Sequence, residues 1–489
     1  DKLDSRLNEL TEYALATAEL HGYVSRVVAI RESAYEVAAE LKETIPESGY
    51  VMTPPMELSN NPDRYEKYQD LHACIKSAVD LATEAETTVG PRYRALADGQ
   101  YALSEGRHSE SAGLANDADP SWTPEEVSVW WKLLSDSERE ALINKDPEKY
   151  GNLDGIDMAS RAKANELVLL GPKDASGQHV PGAGLLGQAE RDLAEAEAAM
   201  VGATSNLAAL DLKRKQAQNR VDDLRALRDQ MNVDGVTLVS LQPGKPGENV
   251  LAALAIGDVD NAEHVATMVP GMTTNCRDSA ALNLGYAYNL REAAVRAGAD
   301  KNNVATIAWL GYDAPPALPD LSVASTAQAE AGADPLRKFA TGIHSWRSER
   351  GMDVHQSIIP HSYGSTTAGI AMRSIGKDVV DDFAYTGSPG AGVASVGTLG
   401  VDKDHVWVSA VPHHDAVQGI GTDGNFGLDP KTLKGIGHLS GDASGAKDYS
   451  TYSLNPVANH SSYFVAPEPG KQNHALNDLG KVIADAKER

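Results

Sequence analysis

Apolar residues recur every three or four positions through most of the first 234 residues, and beyond residue 235 they give way to short apolar runs separated by glycine, proline and polar turns. Over Leu3–Leu41, the positions Leu7, Leu10, Ala14, Ala18, His21 and Val24 fall on one stripe of an amphipathic helix, which the PESG stretch around Pro46 should end. A second helix is predicted over Tyr65–Leu103. A third runs over Leu185–Met231, where Leu193, Ala196, Met200, Leu207, Leu210, Ala217, Val221, Leu224 and Leu227 alternate threes and fours. A helix of that length calls for antiparallel coiled-coil packing on another long helix.

Between the second and third helices, Thr123, Pro124 and Glu126 supply an N-cap, a first-turn proline and a capping acid. Trp122, Trp130 and Trp131 cluster there, and adjacent Trp130 and Trp131 cannot share one helix face. One of them should therefore reach a second surface, as packing between the helical layer and the rest of the chain or as part of a lid.

After residue 235 the pattern is strand, loop and helix, repeated. Val236–Leu241 and Val250–Ile256 flank PGKPGE as a hairpin; His264–Val269, Val304–Leu310, Val354–Ile359, Phe383–Thr386 and His405–Val411 read as further strands. Helical patterns intervene at Arg277–Ala297, Thr326–Glu349 and Thr366–Ile375, and one follows at Ala475–Ala486. Such alternation predicts an α/β fold with a mostly parallel sheet covered on both faces, carrying its chemistry at the carboxyl ends of the strands. Two domains are expected: residues 1–234, a helical accessory, lid or partner-binding unit, and residues 235–489, an α/β unit.

With 489 residues, 42% hydrophobic, 23% charged and a mean hydropathy of -0.35, the chain is expected to be soluble and globular. A net charge of -25 repels phosphate backbones and anionic membranes, which argues against nucleic acid as a partner. No apolar run approaches the roughly 18–20 residues of a spanning helix. The opening DKLDSRLNEL shows no basic stretch followed by an apolar one; the location stays open, cytoplasmic or secreted without a visible signal peptide, because the chain starts without Met and a segment upstream of Asp1 could direct export. Cys74 and Cys276 lie far apart with no metal-ligand spacing, so neither a disulfide framework nor a zinc site is indicated, and no cofactor is called for.

The strongest chemical signal is VHQSIIPHSYGSTTAGIAMRS, where a buried strand runs into Pro360-His361-Ser362-Tyr363-Gly364 and then a helix of small residues. A serine at a strand-to-helix turn with glycine two positions on is a nucleophile elbow, which projects Oγ while the helix N-terminus faces developing negative charge. Pro360 stands where this motif usually has glycine. An acid and then a histidine must follow on later loops: Asp415 comes 53 residues after Ser362, and His460 another 45 residues on. His460 would be the general base and Asp415 its orienting acid. The oxyanion hole needs two amides, expected from Tyr363 and Met272, with Gly271 letting the backbone turn beside the substrate. Trp309, Tyr312 and Asp313 are candidate pocket walls or, equally, parts of a rigid structural turn, and His361 completes the candidate substrate contacts. The Gly387–Gly392 turn lacks the order and the lysine of a phosphate loop, and the His413-His414-Asp415 run lacks a second ligand cluster for a metal.

From about Val236 to Phe464, the ordered motifs VPGMTT, WLGYDAPP, PHSYGSTTAG, TGSPGAGV and NHSSYF resemble an actinobacterial α/β-hydrolase family of unknown function; WWKLLSDSEREALINKDPEKYGNLDGI resembles the segment that often precedes its domain. The resemblance implies an α/β-hydrolase fold, a Ser362, Asp415, His460 triad and no assigned natural substrate. Pro360 departs from its glycine and Asp157 from its proline. The leading expectation is a serine hydrolase acting on a carboxylic ester, with a small-molecule or lipid ester as substrate. The alternative is a secretion-associated or partner-binding protein whose long helices engage a protein partner or a second copy and whose hydrolase domain is secondary or inactive. Similar helical regions occur in substrates of the actinobacterial type VII secretion route.

Overall fold

Nine helices precede the first strand in the computed structural model, which describes residues 2–97, 117–316, 325–421 and 426–486. They are α1 (Lys2–Leu41), α2 (Pro55–Asn60), α3 (Pro62–Ala97), α4 (Pro124–Leu133), α5 (Asp136–Lys145), α6 (Pro147–Tyr150), α7 (Met158–Leu170), α8 (Gly184–Met200) and α9 (Leu207–Met231). Among the described residues, eight strands follow: β1 (Val236–Gln242), β2 (Leu251–Ile256), β3 (His264–Val269), β4 (Val304–Leu310), β5 (His355–Pro360), β6 (Asp382–Thr386), β7 (Val406–Ser409) and β8 (Gly437–His438). Helices α10 (Cys276–Arg296), α11 (Ala327–Glu349), α12 (Gly364–Met372) and α13 (His474–Ile483) follow β3, β4, β5 and β8.

The strands form one sheet in the order β1-β2-β4-β3-β5-β6-β7-β8. The β1–β2 and β2–β4 pairs are antiparallel and every other neighbour is parallel, so the fold is an α/β-hydrolase fold with a mostly parallel sheet. Every residue of β4 and β6 is buried, as strands in a doubly covered sheet require. β5 lies between β3 and β6, so its carboxyl end, and the turn that follows, sits at the middle of the sheet.

Two predicted elements differ from the pattern that suggested them. The long helix over Leu185–Met231 is broken between Met200 and Leu207, where VGATSN turns the chain and Asn206 takes φ 57°. Its halves, α8 and α9, pack on each other, and α9 also packs on α10, with Val221, Leu224 and Leu227 buried together with Cys276, Ala280 and Leu284. The apolar period continued through the break, whereas Gly202 and the Thr204-Ser205-Asn206 run marked it. β8 is too short for any periodicity to reveal. Of the helix predicted over Tyr65–Leu103, residues 98–103 lie outside the described residues.

Residues on both sides of position 235 share one apolar cluster. Leu169, Leu186, Val221, Leu224 and Leu227 are buried together with Leu238, Leu241, Leu254 and Leu310. Trp130 and Trp131 are buried with Leu15 of α1 and Trp346 of α11, and Trp122 packs against them. Asp157 N-caps α7 and accepts the Trp131 indole N–H at 2.6 Å. Further bonds tie the first helices to the later chain: Arg373 donates to Asp70 at 2.8 Å and Ser395 to Glu40 at 2.9 Å. No described helix is long and apolar enough to cross a membrane.

Candidate active site

Ser362 occupies the turn between β5 and α12 with φ 55°, a left-handed conformation rarely taken by a residue with a side chain. The turn is fixed from below: the Ser362 amide donates to Thr386 O at 3.1 Å and Thr386 Oγ1 donates to Pro360 O at 2.7 Å. Pro360 closes β5 with its carbonyl engaged, so its missing N–H costs the turn nothing that the neighbouring strands need. A Cβ on Gly364 would lie 2.4 Å from Val269 O and 2.5 Å from Pro270 O, which explains why this position is glycine.

Asp415 and His460 come together. His460 Nδ1 donates to Asp415 Oδ1 at 2.7 Å, and the carboxylate is fully buried. Its other oxygen accepts from Tyr463 Oη at 2.7 Å and Gln418 Nε2 at 2.9 Å. Burial alone would raise the Asp415 carboxyl, but bonds from His460, Tyr463 and Gln418 outweigh it and hold the group below the ordinary carboxylate range. With Nδ1 committed as donor, Nε2 carries the lone pair, and this buried nitrogen has no hydrogen-bond partner among the described residues. No bond joins it to Ser362 Oγ, an arrangement usual for a site without substrate.

The two histidine rings link nucleophile turn and base. His361, expected to contact substrate, is buried and donates from Nε2 to the backbone oxygen of His460 at 2.6 Å, with ring centroids 4.4 Å apart. Burial, and secondarily the charge of His460, push it down to about 3, so it is a neutral support beneath the base. Asn459 pins the same loop, donating to His413 O and Ser450 O at 2.9 Å each. Sequence reasoning passed over Thr386, Gln418, Asn459 and Tyr463; the NHSSYF run was the one available signal for the last two.

The Met272 and Tyr363 amides donate to no protein acceptor among the described residues, whereas neighbouring Thr273 N is bonded to Pro315 O. A Cβ on Gly271 would stand 2.5 Å from Ser362 Cβ and 2.8 Å from its Oγ. Gly271→Ala is therefore expected to displace the hydroxyl and lower kcat by at least about a hundredfold, since a 1 Å misplacement costs that much. Esterase kinetics beside a thermal melt will separate this loss from unfolding.

Trp309 and Tyr312, expected as pocket walls, belong to the core: both are buried and stacked at 6.0 Å, and Tyr312 stacks in turn on Tyr363 at 6.5 Å. Tyr312 Oη donates to Pro270 O at 2.7 Å, bracing the loop before Gly271. Asp313 is exposed and accepts from Asn249 at 2.8 Å. Cys276 is buried with its thiol pushed up by desolvation, which disfavours the thiolate a nucleophile requires. His355, Asp382 and Asp485 bring ligand atoms within 4.8 Å of one another at the amino ends of β5 and β6. The Asp382 carboxylate there already accepts from His355 at 2.9 Å and Trp407 at 2.8 Å.

Residues 245–422 match a family model described as Alpha/beta hydrolase. An uncharacterised protein of Mycobacterium bovis is 35% identical over 231 residues, covering 45% of this chain and 84% of that relative. An uncharacterised protein of Mycobacterium tuberculosis is 31% identical over 303 residues, 58% of this chain; the chain spans 42% of the length of that relative. A solved poly(3-hydroxybutyrate) depolymerase of Bordetella parapertussis matches 54% of this chain and 80% of its own at 13% identity, with a TM-score of 0.24.

Proposed function

Because the chain belongs to an α/β-hydrolase family, we propose that it is a serine hydrolase that cleaves carboxylic esters through an acyl-enzyme on Ser362. The observation that carries the reading is the His460 ring, with Nδ1 held on Asp415 at 2.7 Å, Nε2 buried without a partner among the described residues, and its centroid 4.4 Å from that of His361, the residue before the strained Ser362. In this mechanism Ser362 Oγ attacks the ester carbonyl carbon while His460 Nε2 takes its proton, and Asp415 stabilises the imidazolium. The Met272 and Tyr363 amides receive the oxyanion. Collapse breaks the bond to the alcohol oxygen, which takes the proton back from His460, and water repeats the sequence to release the acid. Residues 1–234 act as an accessory unit to the hydrolase unit 235–489.

Hydrolysis of p-nitrophenyl esters of graded chain length tests the reading. The full chain should release nitrophenol with saturation kinetics. Amide analogues of the same acyl groups should react far more slowly. A folded chain that hydrolyses none of the esters would favour the partner-binding reading, in which the helices carry the function.

A further inference from the structure

We propose that the loops holding Asp415 and His460 dock on an uncharged lipid surface, so that the ester reaching Ser362 is drawn from an aggregated, water-insoluble acyl lipid phase; this rests on the reading of Ser362, His460 and Asp415 as the reactive site. Four large apolar side chains stand out from these two loops. Tyr452 is 93% exposed, Leu454 103% and Val457 40% on the segment leading to His460, and Ile420 is 68% exposed five residues after Asp415. The loops form one rim: Ala416 N donates to Pro456 O at 2.9 Å, Asn459 N to His414 O at 3.0 Å, and His414 Nε2 to Thr451 O at 3.0 Å.

The two loop segments themselves are nearly free of charge, and the Asp429 carboxylate that packs at Gly419, beside Ile420, is paired with Lys431. Between Tyr449 and Pro467 no Asp, Glu, Lys or Arg occurs, and between Val406 and Gly421 the single such residue is the buried Asp415. Isolated exposed apolar residues are ordinary; several on the two joined loops that carry the acid and the base are not. Side chains exposed this fully stand off the surface instead of lining a groove, which suits insertion into a fluid phase better than seating against a folded partner. A protein covering this rim would sit over the catalytic loops, whereas a lipid phase supplies its ester there. The net charge of -25 disfavours anionic lipid and selects an uncharged or zwitterionic surface.

Co-sedimentation of the full chain with phosphatidylcholine vesicles and with phosphatidylglycerol vesicles tests this, with parallel rates on a dissolved short-chain ester and an emulsified long-chain one. The chain should sediment with phosphatidylcholine and less with phosphatidylglycerol. The double variant Tyr452→Ser, Leu454→Ser should lose at least about tenfold in both vesicle binding and emulsion rate, and keep its rate on dissolved ester within about twofold. Fluorophosphonate labelling of wild type and variant, read in solution, reports the reactive serine independently of any lipid. A labelled chain that ignores phosphatidylcholine, prefers phosphatidylglycerol, or binds equally well as the double variant overturns the docking proposal alone. So does rim-dependent self-association without vesicle binding. Vesicle binding by a chain that takes no label overturns the hydrolase reading and, with it, the assignment of the docked lipid as substrate.

Discussion

Ser362→Ala is expected to lower kcat on an activated ester by roughly 10⁴- to 10⁶-fold, and His460→Ala by a similar factor, with the double variant hardly worse than either. The non-additivity follows from the chemistry: without the hydroxyl there is nothing for His460 Nε2 to deprotonate, and without the ring the hydroxyl stays protonated at neutral pH. Both side chains are small parts of a large buried structure, so a melt should show folded protein in each case. Steady-state kinetics on the three variants tests this, and additive losses would mean that the two residues act in separate steps.

Asp415→Asn is expected to cost about 10⁴-fold in kcat with little change in KM. The carboxylate accepts from His460 Nδ1 at 2.7 Å, and an amide in its place offers a donor to that nitrogen, favouring the wrong tautomer. The same substitution should change acid stability. Because the native carboxyl titrates below its unfolded value of about 4, the unfolded chain binds more protons between the two values and stability rises with pH there. That contribution is complete above about pH 4 and is lost as pH falls through the native value. Urea melts on the acid side should therefore be flatter for Asp415→Asn than for wild type, in addition to any uniform loss from the buried amide.

Most of the sheet was legible because its longer strands are largely apolar runs bounded by turn residues, and the strands from His264 to Thr386 fall within a residue or two of their predicted limits. Ser362, Asp415 and His460 were legible as an order along the chain, and the fold brings the last two into direct contact. What the sequence concealed depends on distance in space. His361 is one residue from the nucleophile, yet its partner is a backbone oxygen 99 residues away. Trp309 and Tyr312 sit at the end of a strand where a pocket wall is plausible, but ring stacking onto Tyr363 places them within the core. The break between α8 and α9 was hidden for the opposite reason: the period of apolar residues ran through it, and only turn chemistry distinguishes a hairpin of two helices from one long helix.

The most direct test of the central claim is the mass of the intact chain after reaction with a fluorophosphonate, followed by peptide mapping. One adduct is expected, on the peptide containing Ser362, absent from Ser362→Ala and strongly slowed in His460→Ala. An unmodified folded chain, or an adduct on any residue other than Ser362, would contradict it.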